Sequence, residues 1–131
     1  MAKNIFLAST GPKSGKSIIC LGLINALRGT VSNVGYFKPV GQKYRKNEEY
    51  DKESIMIKEI FGIEDDLKLI NPISMRELNH YITNSDSETF FRKVQEAYRE
   101  IEKDKDIVVI DGTDHLGMMS AFVFDINADV A

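Results

Sequence analysis

The sequence predicts an α/β fold in three layers, with a parallel sheet of about three strands and helices on both faces. Short apolar runs of strand length alternate along the chain with longer segments whose apolar residues recur at helical intervals. Strands that are separated by helices pair in parallel through crossover connections. The helices of these crossovers then cover the two faces of the sheet.

The bulk composition is that of one globular domain. The chain has 131 residues, of which 43% are hydrophobic and 28% charged. Its net charge of −3 gives no support for a nucleic-acid-binding surface. Cys20 is the single cysteine, which indicates a reducing compartment, and we expect it to be a buried thiol. No apolar run approaches the roughly 18 residues of a membrane span, so we expect a cytoplasmic protein without a membrane partner.

The first half of the chain predicts strand, helix and strand. Residues 5–8 are an uninterrupted apolar run, which predicts a strand buried on both faces. Residues 16–28 predict a helix that is apolar nearly all round, so we expect it to pack on the sheet and to be covered on its other side. Gly29 ends this helix. Residues 34–37 predict a second strand, which ends at Pro39 because proline cannot donate to a strand ladder.

The middle of the chain predicts a loop, a short helix and an irregular segment. Residues 41–50 are polar and highly charged, which indicates a loop. Residues 54–61 predict a short helix that ends at Gly62. Residues 67–85 are predicted to be irregular, with a turn at Asn71 and the proline that follows it.

The last part of the chain predicts a helix, the clearest strand and a terminal helix. Ser85 and Glu88 have capping-box spacing, and an apolar stripe at helical intervals follows over residues 90–101. Residues 107–110 are four β-branched residues in succession and predict a strand. Residues 111–114 then predict a loop, and a last helix begins near Asp125.

The segment between the first strand and the first helix resembles a phosphate-binding loop. Its pattern is G-x-x-x-x-G-K-S with a threonine in place of the first glycine. Backbone N–H groups of such a loop and the helix N-terminus bind phosphate, the lysine contacts the β- and γ-phosphates, and the serine hydroxyl coordinates Mg²⁺. The alternative is a glycine-rich turn with a surface lysine. The candidate binding residues are Thr10, Gly11, Pro12, Lys13, Ser14, Gly15, Lys16, Ser17 and Ile18.

Polar residues follow the other two predicted strands as well. Lys38 follows the second strand and Asp111 follows the third. Carboxyl ends of parallel strands lie at one edge of the sheet, and ligands bind there. Asp111 is therefore a candidate Mg²⁺ ligand opposite Ser17, the alternative being a turn-forming aspartate. Lys38 could bind phosphate or stabilise a carboxylate-bearing intermediate, or its ammonium could extend past the strand end to solvent.

Asp51 is a further candidate, with two possible roles. It precedes the short predicted helix, so its side chain could cap that helix. It could equally supply a second carboxylate to the metal. The sequence favours the cap.

Together these motifs resemble the dethiobiotin synthetase-like group of phosphate-loop proteins. More closely, the chain is similar to the N-terminal domain of many bacterial phosphate acetyltransferases. The motifs that carry the resemblance occur in the family's order over nearly the whole chain, namely residues 9–17, 35–40, Asp51, residues 71–73, 109–112 and 124–129. The Lys-Pro-Val element within residues 35–40 is more specific than the loop.

The resemblance implies a cofactor and a role for each site residue. Dethiobiotin synthetases bind ATP at the loop, with Mg²⁺ between the phosphates and acidic side chains, and convert diaminopelargonate through a carbamate to a cyclic urea. By the motif match, Lys16 and Lys38 are the implied catalytic residues, on phosphate and near the carbamate respectively. Ser17, Asp51 and Asp111 are the implied metal ligands.

Three departures from the synthetase pattern speak against diaminopelargonate chemistry without affecting phosphate binding. Lys13 stands where the synthetases commonly carry glutamate, Gln42 replaces a serine, and a Gly-Gly pair is absent after Gly112. Our first hypothesis is a nucleotide-binding or regulatory module of a phosphate acetyltransferase-type protein. The alternatives are an ATP-dependent cyclo-ligase of the dethiobiotin type and a degenerate domain that serves as an interaction surface, so enzymatic activity stays open.

The length of the chain suggests two further expectations. Relatives continue well past residue 131, so we expect residues 1–131 to be the N-terminal part of a longer protein. A parallel sheet of three strands leaves a bare edge and a partly uncovered face. We therefore expect the chain to form homo-oligomers, most simply a dimer.

Overall fold

The computed structural model of the protein describes residues 3–7, 16–41, 44, 46 and 48–112, and it has the predicted α/β architecture. The sheet contains β1 (Lys3–Leu7), β2 (Val34–Phe37) and β3 (Ile107–Asp111). The pairings among these described strands are parallel, as expected, and their order is β1-β3-β2. The run of four β-branched residues is therefore the central strand of the described sheet, with a neighbour on each side.

Helices occupy the connections between the strands. In chain order the described residues form α1 (Lys16–Arg28), α2 (Lys52–Phe61), α3 (Leu67–Ile70), α4 (Met75–Thr83) and α5 (Ser87–Glu102). The first helix follows β1, and the other four lie between β2 and β3.

Helices α1 and α5 cover opposite faces of the sheet. Cα partners in the register place Tyr36 beside Val109, while Phe37 lies beside Ile110 on the other face. The ring of Phe37 meets that of Tyr98 on α5 edge-on, with centroids 5.5 Å apart. On the other face, Tyr36 lies close enough to Cys20 of α1 for the two groups to interact electrostatically. The predicted three-layer arrangement is confirmed.

The core lies between the sheet and these two helices. Its largest fully buried side chains include aromatic residues of β2 and α5, together with Ile24 of α1. Cys20 is also buried, as the sequence indicated. Apolar burial of this kind is the main stabilising term of a small domain.

Strand β1 differs from its prediction in position and burial. It spans Lys3–Leu7 rather than residues 5–8, and its residues are exposed or half-buried rather than buried on both faces. The reason is its place in the sheet, since β1 lies at one end of the described strand order and pairs only with β3 there. Strand β3 includes Asp111, one residue more than predicted.

Helix α1 has the predicted bounds, but the expectation that its other side is covered was wrong. Ile18 is 75% exposed and Ile19 is 55% exposed, whereas Cys20 and Ile24 are buried against the sheet. Among the described elements, α5 packs on the opposite face of the sheet and so cannot cover the outer side of α1.

Residues 67–85 are not irregular, because they contain α3 and α4. Each of these helices begins at a side-chain cap. Asp66 accepts a hydrogen bond from the N–H of Lys68, and Ser74 accepts one from the N–H of Glu77. Ser74 and Glu77 have the capping-box spacing that predicts a helix start. The turn expected at Asn71 lies between the two helices.

The other described helices also begin or end at capping residues, some of which differ by one or two positions from the predicted ones. Asp51 caps α2, so that helix begins at Lys52 rather than at residue 54. Gly62 ends it in the left-handed conformation, at φ 61° and ψ 37°. The cap of α5 is Asp86, which accepts from the N–H of Thr89, rather than the residue before it.

Several predicted features lie outside the described residues. These are residues 10–15 of the phosphate-loop pattern, Gln42, the loop beyond Gly112 and the helix near Asp125. Within the described ranges, no helix combines the length and the apolar character that crossing a membrane requires.

Candidate functional site at the carboxyl edge of the sheet

Three of the predicted site residues meet at the carboxyl edge of the sheet. Lys38 directly follows β2, Asp111 is the last residue of β3, and Asp51 precedes α2. All three are at least 99% buried. The side chains of Asp51 and Asp111 both act electrostatically on Lys38, so the three form one group of charges.

The Lys38 ammonium is enclosed in the protein. Its Nζ atom lies 3.1 Å from Oδ2 of Asp51 and 3.3 Å from Oε2 of Glu53. Only 1% of its surface is exposed, so the alternative in which it extends to solvent is wrong. A buried ammonium needs compensating carboxylates, and two are in ion-pair range.

The surroundings keep Lys38 protonated. Burial alone would lower the pKa of this lysine. The carboxylates of Asp111, Asp51 and Glu53 act in the opposite direction, and the pKa of Lys38 lies above its ordinary value. Lys38 is therefore a fixed positive charge at neutral pH rather than a general base.

Asp51 has two structural roles at once. Its Oδ1 atom accepts hydrogen bonds from the N–H groups of Glu53 at 2.9 Å and Ser54 at 3.3 Å, so the predicted helix cap is confirmed. Its Oδ2 atom faces Lys38. The cap fixes the carboxylate at the N-terminus of α2, where the helix dipole also favours a negative charge.

Asn71 holds the two partners of this ion pair in place. Its Nδ2 group donates to the carbonyl of Lys38 at 2.9 Å, and its Oδ1 atom accepts from the N–H of Asp51 at 3.1 Å. The N–H of Lys38 donates in turn to the carbonyl of Ile70 at 2.8 Å. One buried amide thus connects the end of β2 to the start of α2.

Asp111 is held by a different kind of partner. The hydroxyl of Tyr36 donates to Oδ2 of Asp111 at 2.7 Å, and both residues are almost fully buried. Burial, together with the negative charge of Asp111, raises the pKa of Tyr36 well above its ordinary value. The phenol therefore stays protonated and acts as the donor.

Gly112 allows the chain to leave β3 close to β1. Its N–H donates to the carbonyl of Leu7 at 2.8 Å. A Cβ at this position would lie 2.6 Å from Cζ of Phe6 and 2.9 Å from the Leu7 carbonyl oxygen, both too close for a side chain. The glycine thereby keeps the end of β1, where the phosphate-loop pattern begins, next to Asp111.

Tyr36 and Glu53 contact the site residues but were not predicted from the sequence to belong to the site. Tyr36 lies two residues before Lys38, so the period of two in a strand predicts that both side chains are on the same face of the sheet. Asp111 is on that face as well, because Tyr36 pairs with Val109, two residues before Asp111. That spacing was the available signal for Tyr36. The sequence contains no comparable signal for Glu53, because its approach to Lys38 depends on how α2 packs against the end of β2.

The remaining predicted residues belong to the loop and the start of α1. Lys16 and Ser17 form the first turn of this helix, which packs on the face of the sheet that carries Tyr36 and Asp111. Ile18 is largely exposed. Residues 10–15 lie outside the described part of the chain, so the phosphate-binding roles stay predictions.

The carboxylates at this edge could bind Mg²⁺ only together with further ligands that complete its coordination shell. Within the described residues, no group of three or more His, Cys, Asp or Glu side chains could hold a metal ion by itself. Magnesium in nucleotide sites is bound by one or two carboxylates together with phosphate oxygens and water. Asp51 and Asp111 both lie at this edge, where the oxygens of Asp51 also bind Lys38 and the N-terminus of α2, and Oδ2 of Asp111 accepts from Tyr36.

Comparison with known proteins supports one family. Residues 3–131 match the model of the AAA_26 family, described as an AAA domain. The chain is 30% identical over its full length to a phosphate acetyltransferase of Nitratidesulfovibrio vulgaris and 25% identical to one of Synechocystis. It is 26% identical over 115 residues to an ATP-dependent dethiobiotin synthetase of Caldicellulosiruptor saccharolyticus. The chain spans 18%, 19% and 47% of the lengths of these three proteins.

Proposed function

Because the chain belongs to this AAA domain family, we propose that it binds ATP with Mg²⁺ at the carboxyl edge of its sheet. It would act as a nucleotide-binding or regulatory module of a phosphate acetyltransferase-type protein. Similarity over the full chain to two phosphate acetyltransferases supports this choice of parent protein.

The observation that carries the proposal is the buried group of charges around Lys38. Three carboxylates, those of Asp51, Glu53 and Asp111, act on one ammonium at the carboxyl edge of the sheet. Ligands of parallel sheets bind at this edge, and carboxylates are ligands that Mg²⁺ takes together with phosphate oxygens. The group lies beside the end of β1 and the face that α1 covers, where the sequence predicts the phosphates.

Each residue has a distinct task in this proposal. The N–H groups of the loop and of the α1 N-terminus bind the phosphate oxygens, and Lys16 neutralises the β- and γ-phosphates. Ser17 and Asp111 would hold Mg²⁺, which would supply positive charge to the phosphates. Lys38 places a second fixed positive charge near the γ-phosphate, and Asp51 keeps that lysine in position.

Calorimetric titration of the 131-residue chain with ATP and excess Mg²⁺ tests this function. We expect saturable binding, and a loss of affinity on the order of tenfold or more in Lys16→Ala, because a charge-assisted contact to phosphate is removed. Lys103→Ala is the matched control, since Lys103 is 62% exposed and pairs with Glu100 near the end of α5. Equal, weak heats for the wild type and Lys16→Ala would reject the proposal.

A cyclo-ligase of the dethiobiotin type is a second candidate. A cleft of about 700 Å³ borders Asn71 and is lined by Tyr44, Tyr50 and Arg76 among others, which gives room for a small organic substrate. Phosphate release that depends on both bicarbonate and diaminopelargonate would support this activity. ATP binding without such release would favour the regulatory module.

A further inference from the structure

Lys38 lies at the point where the chain of β2 exchanges one neighbour for another. The register between β2 and β3 ends at the residue before Lys38. From there the main chain pairs with residues 70–73, at the end of α3 and in the turn before α4. The N–H of Lys38 donates to the carbonyl of Ile70 at 2.8 Å, and Val40 forms a parallel bridge with Ile73. The backbone of Lys38 is therefore held outside the three-stranded sheet.

The side chain of Asn71 joins this second pairing to the start of α2. Its Nδ2 group donates to the carbonyl of Lys38 at 2.9 Å, and its Oδ1 atom accepts from the N–H of Asp51 at 3.1 Å. The N–H of Asn71 donates to the carbonyl of Leu67 at 2.8 Å, so its own backbone is fixed at the end of α3. Because Asn71 is 4% exposed, little water competes for these bonds.

Both partners of the ion pair are thus built on main chain that one amide holds. Nζ of Lys38 lies 3.1 Å from Oδ2 of Asp51, and Oε2 of Glu53 lies 3.3 Å from the same ammonium. A lysine ammonium is carried on a flexible four-carbon stem, so its position depends on a fixed backbone and fixed partners. The hydrogen bonds of the Asn71 side chain fix the backbone of Lys38 and of Asp51, and so act on the ammonium through them.

A fixed ammonium can discriminate between nucleotides that differ by one phosphate group. In the function proposed above, Lys38 lies near the γ-phosphate, which ATP has and ADP lacks. The strength of a charge-assisted contact depends on its distance and direction, and a small misplacement of the charged group loses much of it. Loss of the Asn71 amide should therefore weaken the contact that only a triphosphate makes.

We propose that Asn71 is a positioning residue that gives the site its preference for a nucleoside triphosphate over a diphosphate, by holding the main chains of Lys38 and Asp51. This inference rests on the proposed binding of ATP with Mg²⁺. It differs from a purely structural role for a buried amide, which would lower stability and weaken the binding of both nucleotides by the same factor.

The test compares the affinities of Asn71→Ala and wild type for ATP and for ADP, each in excess Mg²⁺, by calorimetric titration of the 131-residue chain. In the variant we expect the affinity for ATP to fall on the order of tenfold, because a charge-assisted contact is weakened. The affinity for ADP should stay within about twofold of the wild-type value, a change that is small on the same scale.

Asn84→Ala is the matched control. The amide of Asn84 also donates to a main-chain carbonyl, that of His80 at 2.9 Å, but it is exposed at the end of α4. This variant should bind both nucleotides as the wild type does. If Asn71→Ala is poorly folded by circular dichroism, the titrations are made with Gly22→Ala added to both wild type and variant, since that exposed helical site favours alanine.

A double-mutant cycle with Lys38→Met tests whether Asn71 acts through the ammonium. Methionine removes the charge and keeps an unbranched side chain. Lys38→Met alone should lose the preference for ATP, and adding Asn71→Ala should reduce that preference no further, because the two residues act through one contact. Independent, additive losses of the preference in the double variant would contradict the inference.

The outcomes separate the inference from the function beneath it. Wild-type binding of ATP together with equal losses for ATP and ADP in Asn71→Ala overturns the role of Asn71 alone. The same holds if Asn71→Ala keeps the wild-type affinity for ATP, or if the wild type binds ATP and ADP equally well. A wild-type chain that binds neither nucleotide overturns both proposals.

Discussion

Lys38 and Asp51 determine the energetics of the site at the scale of single residues. Each is buried, and each is the other's ion-pair partner at 3.1 Å, although Lys38 would keep Glu53 and Asp111 as neighbouring carboxylates without Asp51. Such pairs add little net stability when intact, but removing one partner costs several kcal/mol because the remaining charge keeps its desolvation penalty. The ion pair is therefore sensitive to substitution even though it is only a modest stabiliser.

Two substitutions at Asp51 separate its two roles. Asp51→Asn keeps a capping side chain and loses one of the charges around Lys38, and because Glu53 and Asp111 remain we expect a loss of about 2 kcal/mol in the free energy of unfolding. Asp51→Ala also removes the cap, which should cost about 1 kcal/mol more. Urea denaturation followed by circular dichroism measures both values.

Asp66→Ala is the control for these variants. Asp66 caps α3 through the N–H of Lys68, and no ion pair of its side chain is found in the described part of the chain. Its replacement should cost no more than about 1 kcal/mol. If Asp51→Asn were as stable as the wild type, the ion pair with Lys38 would not be coupled to folding.

Helix ends are the features that organise the chain at the scale of elements. Four of the described helices begin at a side-chain cap formed by Asp51, Asp66, Ser74 and Asp86. These caps satisfy N–H groups that have no partner within the helix. Because they set where α2 to α5 begin, they also set the lengths of the turns between helices in the segment that joins β2 to β3.

Two glycines give a matched test of backbone conformation. Gly62 has φ 61°, whereas Gly22 is inside α1, and a Cβ at either site would have no heavy atom within 4 Å. Alanine at Gly62 should destabilise the protein by about 1 kcal/mol because L-residues disfavour left-handed backbone. Alanine at Gly22 should stabilise it by about 0.5–1 kcal/mol because helical glycine loses more entropy on folding.

Thermal unfolding of the two glycine variants measures both effects under one condition. The midpoint should fall for Gly62→Ala and rise for Gly22→Ala. Shifts of the same sign in both variants would contradict the assignment of Gly62 to a left-handed helix end.

At the scale of the whole molecule, two features of the described surface bear on the predicted self-association. Within the described residues β1 pairs on one side only, and Ile18 and Ile19 of α1 are exposed. Unpaired strand edges and exposed apolar faces favour association. Light scattering over a dilution series should give the mass of a dimer at micromolar concentration, falling toward the monomer on dilution, and a monomer throughout would contradict the prediction.

The sequence by itself determined the α/β class, the parallel pairing, the bounds of α1 and β2, and the meeting of Lys38 and Asp111 at one edge. Periodicity and strand-end rules were enough for these, because they depend on neighbours in the chain and on the geometry common to all parallel sheets. The start of α4 is also marked in the sequence, by the capping-box spacing of Ser74 and Glu77.

Only the tertiary structure decided what surrounds each charge. Whether Lys38 reaches solvent or stays buried depends on Glu53 and Asp51, which α2 brings from another part of the chain. The place of β1 at one end of the described strand order, and the outward face of Ile18, likewise follow from how distant elements stack. Local sequence encodes secondary structure and strand ends, whereas the partners of a buried charge come from contacts between elements far apart in the chain.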